Sequence, residues 1–274
     1  MQDIFHYDFI IRKFRDFFQN KKKFVEVPAQ SRLSILAACE DPKTISVFTF
    51  NNTEYPLPQT GQMWLEYELL KNPQVPGVFC VTTSYRNEPN PIPGRHDKIF
   101  PMFEFESHGS VKELKKLLSE LLEHFGFDQP VSCLYNDMCK KYKVEVLEAE
   151  HETKMQQEYG NVISLEQFHQ RSHPFWNMKY VGDDLYNKID ILLYGMETFG
   201  TAERSVDAKG MKHNFLTISN GLYADLLFHK FGKERVLAEL DAYLSLPMFP
   251  RFGGGIGVTR MERALILAGL MKDK

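Results

Sequence analysis

The chain predicts an α+β fold built on an antiparallel sheet, and three observations carry that expectation. Strand-like runs at 75–85, 189–194 and 252–258 follow one another without the regular β-α alternation of a doubly wound fold. Residues 84–106 read as two strands that return on each other through a loop rich in Pro and Asn. Val111, Leu114, Leu117, Leu118, Leu121, Leu122 and Phe125 form the stripe of an amphipathic helix, stopped by Gly126. With 274 residues, 43% of them apolar, the chain can bury a full core. No repeat, low-complexity tract or linker divides it, so residues 1–274 are expected to form a single domain.

Taken in order, Asp8 is the expected cap of a first helix whose Ile10, Phe14, Phe17 and Phe18 share one face. Lys21, Lys22 and Lys23 close it, where cations suit the helix dipole. Phe24 to Pro28 reads as a strand, with Pro28 at an edge or interface because it lacks an N–H. Residues 29–60 are irregular apart from a turn at Asn51-Asn52. A helix is expected over 61–70 and a strand over 75–85, led in by Pro76-Gly77. The polar stretch 140–172 receives no assignment. Ile189 to Tyr194 is a strand with Asp190 inside an apolar run, and helices follow near 220–231 and 233–244. Phe252 to Val258 is a glycine-rich strand, and 259–270 is a final helix.

The formal net charge of −3 provides no basic footprint for nucleic acid. Cys39, Cys80, Cys133 and Cys139 contain no C-x-x-C pair and read as reduced, buried thiols. The apolar residues from Phe5 to Phe18 are interrupted by His6, Asp8, Arg12, Lys13, Arg15 and Asp16, a pattern of neither a signal peptide nor a membrane span. A cytoplasmic protein with no membrane partner is the expectation.

Two segments carry chemistry. Arg86 and Glu88 end one apolar strand, Arg95 and His96 lie in the loop, and Phe100, Glu104 and Glu106 return on the next. Such a hairpin can hold a nucleotide, with arginine on phosphate, an aromatic ring on the base, and an acid on amine or metal. The second segment, Pro250 to Arg260, lacks the G-K-[ST] of a phosphate loop. Its Gly253, Gly254, Gly255 and Gly257 weaken a strand unless another molecule lies flat against the backbone. Arg260 then opens a helix, where its guanidinium can stack on a purine and bind phosphate. A bulged edge strand with a surface arginine is the structural alternative.

With these segments in this order, the chain resembles the catalytic core of class II aminoacyl-tRNA synthetases, the asparaginyl/aspartyl subgroup, from residue 8 to 270. The resemblance implies a class II synthetase-type antiparallel β-sheet flanked by helices, ATP and Mg²⁺, and a homodimer built on the first helix, strand and Pro28. It implies that Arg86 holds the ATP α-phosphate and the amino-acid carboxylate, and that Phe100 and Arg260 sandwich adenine over Gly257. Arg95 and His96 would reach the outer phosphates, and Glu88 the adenine edge. Asp190 and Glu197 would be the magnesium carboxylates, hard ligands of the kind that ion prefers.

The same resemblance implies that Thr60 and Gln62, helped by Glu104, bind the substrate amino group, and that Arg204 grips its side chain. Leu65 stands where aspartyl enzymes place a lysine, while Glu66 matches the glutamate of asparaginyl enzymes. A donor fork (Arg204) and an acceptor (Glu66) suit a carboxamide. Aspartate about 4 Å from an ionised Glu66 would meet a repulsion on the order of 4 kcal/mol at an effective dielectric of about 20. His173 resembles a pocket-lining residue, whereas Thr259 and Arg251 depart from the family pattern, which has an acid and a histidine there. The first motif begins near residue 8, leaving no room for an N-terminal OB-fold, so any tRNA partner would bind without anticodon recognition. Three functions are then open. One is a ligase forming an aminoacyl-adenylate of asparagine or aspartate for a further acceptor. The others are an ammonia-dependent asparagine synthetase and a non-catalytic binding paralogue.

Overall fold

The computed structural model describes residues 3–29, 34, 36, 41–170, 172 and 175–272. A first helix, α1 (Ile4–Arg15), is capped by Asp3, whose carboxylate accepts from the backbone N–H of Phe5 at 2.8 Å and of His6 at 3.1 Å. The expected cap, Asp8, instead lies inside the helix and pairs with Arg12 one turn on. A π-helical turn (Asp16–Lys21) continues the rod and carries the apolar face through Phe17 and Phe18. Next come β1 (Val25–Glu26) and a hairpin of β2 (Val47–Phe50) and β3 (Thr53–Pro56). That hairpin turns at Asn51 and Asn52 with φ of 49° and 57°, as the Asn pair suggests.

Helix α2 (Gln62–Lys71) leads to the long strands β4 (Gly77–Tyr85) and β5 (Ile99–His108). Helix α3 (Val111–Phe125) starts with a Ser110–Glu113 capping box and stops at Gly126, whose φ of 95° suits glycine. The stretch without assignment folds as α4 (Tyr135–Tyr142) after β6 (Val131–Leu134), then α5 (Ala149–Tyr159) and β7 (Val162–His169). Helix α5 buries only His151 and Met155 among its described residues, so it has no apolar stripe to read. Strands β8 (Tyr180–Gly182), β9 (Leu185–Leu193) and β10 (Met196–Glu203) precede helices α6 (Ala208–Thr217), α7 (Leu222–Phe231) and α8 (Lys233–Leu244). Strand β11 (Arg251–Gly257) and helix α9 (Val258–Leu267) close the fold.

The sheet runs β1-β4-β5-β11-β10-β9-β7-β6, with β8 on β9, and is antiparallel except at β1/β4 and β6/β7. Strand alternation divides its faces. Phe103, Phe105, Ile189, Ile191, Phe199, Phe252 and Ile256 face a core covered by α1, α3 and α9. Phe14 of α1 stacks on Phe103 with ring centroids 4.5 Å apart. Burying each such side chain contributes about 1.5–3 kcal/mol. Their neighbours along the strands, among them Glu104, Glu106, Lys188, Asp190 and Gly200, therefore stand on the opposite face. There α2 lies across β4 and β5, and α6, α7 and α8 wrap a second core around Trp176. Among the described residues no helix is long and apolar enough to cross a membrane.

Candidate active site

The polar face of the sheet holds a cleft of about 250 Å³. Arg86, Glu88, Arg95, His96, Phe100, Glu197, Gly257 and Arg260, the residues expected to hold ATP, all line it. The two arginines remote in sequence thus share one cavity. Arg86 leaves the end of β4 with its guanidinium carbon 5.4 Å from the Phe100 ring centre, and its Nε donates to Ser84 Oγ at 3.3 Å. Arg260, on the first turn of α9, donates to the Glu197 carbonyl at 2.6 Å and lies 3.7 Å from the Glu197 carboxylate. Its aliphatic stem covers Gly257, where an added Cβ would sit 3.6 Å from Arg260 Cδ. Arg95 is tied back to Glu152 of α5 and to the Gly195 carbonyl.

Glu197 reaches this face because β10 is irregular. Its pairing with β9 shifts register between Glu197 and Phe199. Without that bulge Glu197 and Phe199 would share a face, and Phe199 is buried in the core. The irregularity turns the carboxylate into the cleft. Glycines on the neighbouring strand serve two purposes. Gly255 and Gly257 line the cleft, whereas a Cβ on Gly253 would collide with the Glu106 carboxyl at 2.2 Å. The bare backbone of β11 thus makes room partly for the protein's own acid, not only for a ligand.

Beyond the cleft lies a smaller pocket of about 40 Å³, reached past Gln62, Glu197 and Gly200, which line both. Arg204 and Lys188 line its far end with Phe175, Met178, Thr201 and Ala202. Arg204 was expected there; Lys188 was not. Its signal was the strand alternation of β9, which places it on the same face as Asp190, two residues on.

Three expected substrate contacts fall outside both cavities. Glu66 is fully buried. Its Oε2 accepts from Arg251 at 2.6 Å and from the Tyr243 hydroxyl at 2.6 Å, and its Oε1 from Asn177 at 2.5 Å. Its side chain lines neither cavity, and Arg204 Nε stands 3.5 Å from its Oε1. Arg251, which departs from the family pattern, is buried at 0% exposure as the guanidinium that holds Glu66. Glu104 accepts from Thr60, from Thr82 and from the Gly61 N–H at 2.7 Å, which anchors the start of α2 and leaves Thr60 and Glu104 beneath the cleft floor. His173 lies outside the described residues.

Two buried glutamates flank Arg204 and differ in charge. Burial alone would raise the Glu66 carboxyl, but Arg251 and Arg204, with hydrogen bonds from Tyr243 and Arg251, outweigh it and hold Glu66 below the usual range. Burial pushes Glu106 up to about 8 against the pull of Arg204, and the Glu66 charge adds to the rise. Only its Oε1 is engaged, accepting from Arg204 Nη2 at 2.5 Å; Oε2 is buried with no partner among the described residues. At neutral pH the group is one anion, Glu66, shared by the cations Arg204 and Arg251.

Asp190 is also buried, with Oδ2 paired to Lys188 and Oδ1 without a hydrogen bond among the described residues. Burial pushes it up to about 7, against Lys188. From Gly200 the two carboxylates converge: a Cβ there would stand 2.9 Å from Glu197 Oε1 and 3.8 Å from Asp190 Oδ1. Among the described residues no cluster of three or more His, Cys, Asp or Glu side chains could cage a metal. One or two carboxylates completed by substrate phosphates is the donor set magnesium takes, and the orphaned Asp190 oxygen beside Glu197 fits it.

The family model for class II tRNA synthetases (D, K and N) matches residues 1–271, and the chain belongs to that family. Among solved structures it is similar to asparaginyl-tRNA synthetase from Pyrococcus horikoshii complexed with asparaginyl-adenylate, at 17% identity and a TM-score of 0.78, covering 96% of this chain and 64% of that one. It is also similar to the Entamoeba histolytica asparaginyl-tRNA synthetase in complex with asparaginyl-adenylate, at 18% identity and a TM-score of 0.72, covering 95% and 63% of the two chains. The aspartyl enzyme of Entamoeba histolytica follows at 16% identity and a TM-score of 0.67, covering 94% and 54%. The chain thus spans less than two thirds of these relatives. No curated protein matches it in sequence. The α+β, largely antiparallel fold expected from the sequence is the fold these enzymes share.

Proposed function

We propose that the chain is an ATP-dependent ligase that activates an amino acid of the aspartate/asparagine class as its aminoacyl-adenylate, for transfer to a nucleophilic acceptor. The observation that carries this reading is the shared cleft: Arg86, Arg260 and Glu197 line one cavity that continues, past Gln62 and Gly200, into a pocket sized for a short polar side chain. An amino acid seated there turns its α-carboxylate toward the nucleotide. That carboxylate attacks the α-phosphorus in line, the bond to the β-phosphate oxygen breaks, and pyrophosphate leaves. Arg86 and Arg260 neutralise the charge that develops, so the protein's work is positioning and electrostatics. A magnesium ion held by Glu197 and Asp190 would neutralise phosphate charge further. Asparaginyl-adenylate bound to two of the similar structures supports the same chemistry.

Side-chain amidation with ammonia would need an acid to hold ammonium, and Glu66 is already engaged by Arg251, Tyr243 and Asn177. A homodimer through the first helix and edge strand is part of the proposal, supported by Ile4, Phe5 and Val25 at 72%, 68% and 44% exposure; sedimentation at graded concentrations tests it. Amino-acid-dependent exchange of labelled pyrophosphate into ATP tests the activity. Exchange with aspartate or asparagine is expected, and silence with all twenty amino acids would end the reading.

A further inference from the structure

The small pocket beside the cleft offers a sharper statement about substrate, resting on the activation reading above. Its mouth is formed by Gln62, Glu197 and Gly200, which it shares with the cleft. Away from that mouth its charged heads are Lys188 and Arg204; the Thr201 side chain alternates with Gly200 to the other face of β10, where its hydroxyl donates to the Ile189 carbonyl at 2.7 Å. Phe175, Met178 and Ala202 supply apolar wall. Gln62 turns its amide oxygen to Arg204 at 2.9 Å, leaving its NH₂ as the remaining polar group. Glu66 lines neither cavity and is engaged by Arg251, Tyr243 and Asn177.

We propose that Lys188, with Arg204, sets the substrate specificity of this site, selecting an amino acid with a short side-chain carboxylate over its carboxamide. Lys188 is 4% exposed, pairs with Asp190, and stands 4.1 Å from the Phe168 ring centre, so its ammonium is fixed at the pocket end rather than loose in solvent. A carboxylate meets two charged donors there. A carboxamide aims an NH₂ at the same two cations, and buried donors left unpaired are what reject a near-isostere. A cavity of about 40 Å³ has space for about three water-sized groups, a carboxylate and little more.

The test is pyrophosphate exchange with aspartate and asparagine side by side, in the wild-type chain and in Lys188→Met and Lys188→Arg. The wild type is expected to favour aspartate by about 100-fold or more in kcat/KM. Lys188→Met should bring the ratio to within about tenfold through a higher KM for aspartate, and Lys188→Arg should keep most of the preference. A wild type that prefers asparagine, or a Lys188→Met that keeps the aspartate preference, overturns the proposal while leaving the activation reading intact. Should Lys188→Met fail to fold, the wild type alone decides. Aspartyl-sulfamoyl-adenosine should bind at least tenfold tighter than the asparaginyl analogue, and equal or reversed affinities overturn the proposal. Silence in exchange together with no binding of either analogue removes the activation reading and the role of Lys188 with it.

Discussion

In the cleft, Arg95 and Arg260 keep side chains 19% and 31% exposed, and Arg260 leans on a neutral carbonyl and a partly exposed carboxylate. In the network beneath it, Arg204 and Arg251 are 2% and 0% exposed and are surrounded by Glu66, Glu106, Tyr243 and Gln62. The same side-chain type thus does opposite things a layer apart. Partial pairing at a wetted surface leaves positive charge for phosphates to claim. Complete pairing in the interior commits Arg251 to architecture, and a buried charge so committed is costly to strand. Arg204 lies between the regimes, tied inward to Glu106 and still lining the small pocket.

The largest effect that can break this contrast is Glu66→Gln. Removing the anion leaves Arg251 buried without its charge partner, and a loss of about 3–5 kcal/mol in urea-unfolding stability is expected. Unchanged stability with a raised amino-acid KM would mean that Glu66 reads substrate after all. For the cleft the expectation reverses. Arg86→Ala should lower kcat for exchange by about 10²–10³-fold while the melting temperature stays within about 2 °C of wild type. A collapse of the fold on that substitution would place Arg86 in the structural class.

A smaller effect separates the two buried glutamates by pH. The folded pKa of Glu106, about 8, lies above its unfolded value near 4.3, so the folded chain holds a proton that the unfolded chain has lost between those values. Stability from this group therefore falls as pH rises through that window. Relative to Glu106→Gln, the wild type should lose up to about 1.4 kcal/mol per pH unit between about pH 5 and 8. Glu66 has the opposite sign. Its pKa is lowered on folding, so its contribution is complete above the unfolded value and is lost as pH falls through the folded one. Smallest of all, below about pH 4, where the Glu106 carboxyl is protonated both folded and unfolded, Glu106→Gln should shift stability by less than about 1 kcal/mol, because an amide oxygen can accept from Arg204 as the neutral acid does, and by about pH 7 the variant should be the more stable of the two. A loss as large as that of Glu66→Gln would show Glu106 to be ionised.

What the sequence made legible follows from how far apart the interacting residues lie. Helix α3 and strand β4 announce themselves in local periodicity, and the cleft residues sit at strand and helix ends, where Arg, Gly and Glu stand out. Helix α5 hides because it buries so little. The internal partners of Glu66 were not legible because they are 177 residues away (Tyr243) and 185 away (Arg251), and no local pattern joins them. Lys188 went unnoticed although the alternation of β9 already put it beside Asp190 on one face. The turning of Glu197 into the cleft depends on a bulge in β10 that composition does not encode.

The central claim is that Arg86 and Arg260 close on one nucleotide to let an amino-acid α-carboxylate attack phosphorus. Incubating the protein with ATP, hydroxylamine and aspartate carrying ¹⁸O in the α-carboxylate alone tests it directly, since hydroxylamine cleaves the adenylate at carbon and leaves the bridging oxygen on AMP. The expected product is AMP with a single ¹⁸O, lost in Arg86→Ala. Unlabelled AMP, or ADP in its place, would contradict the assignment.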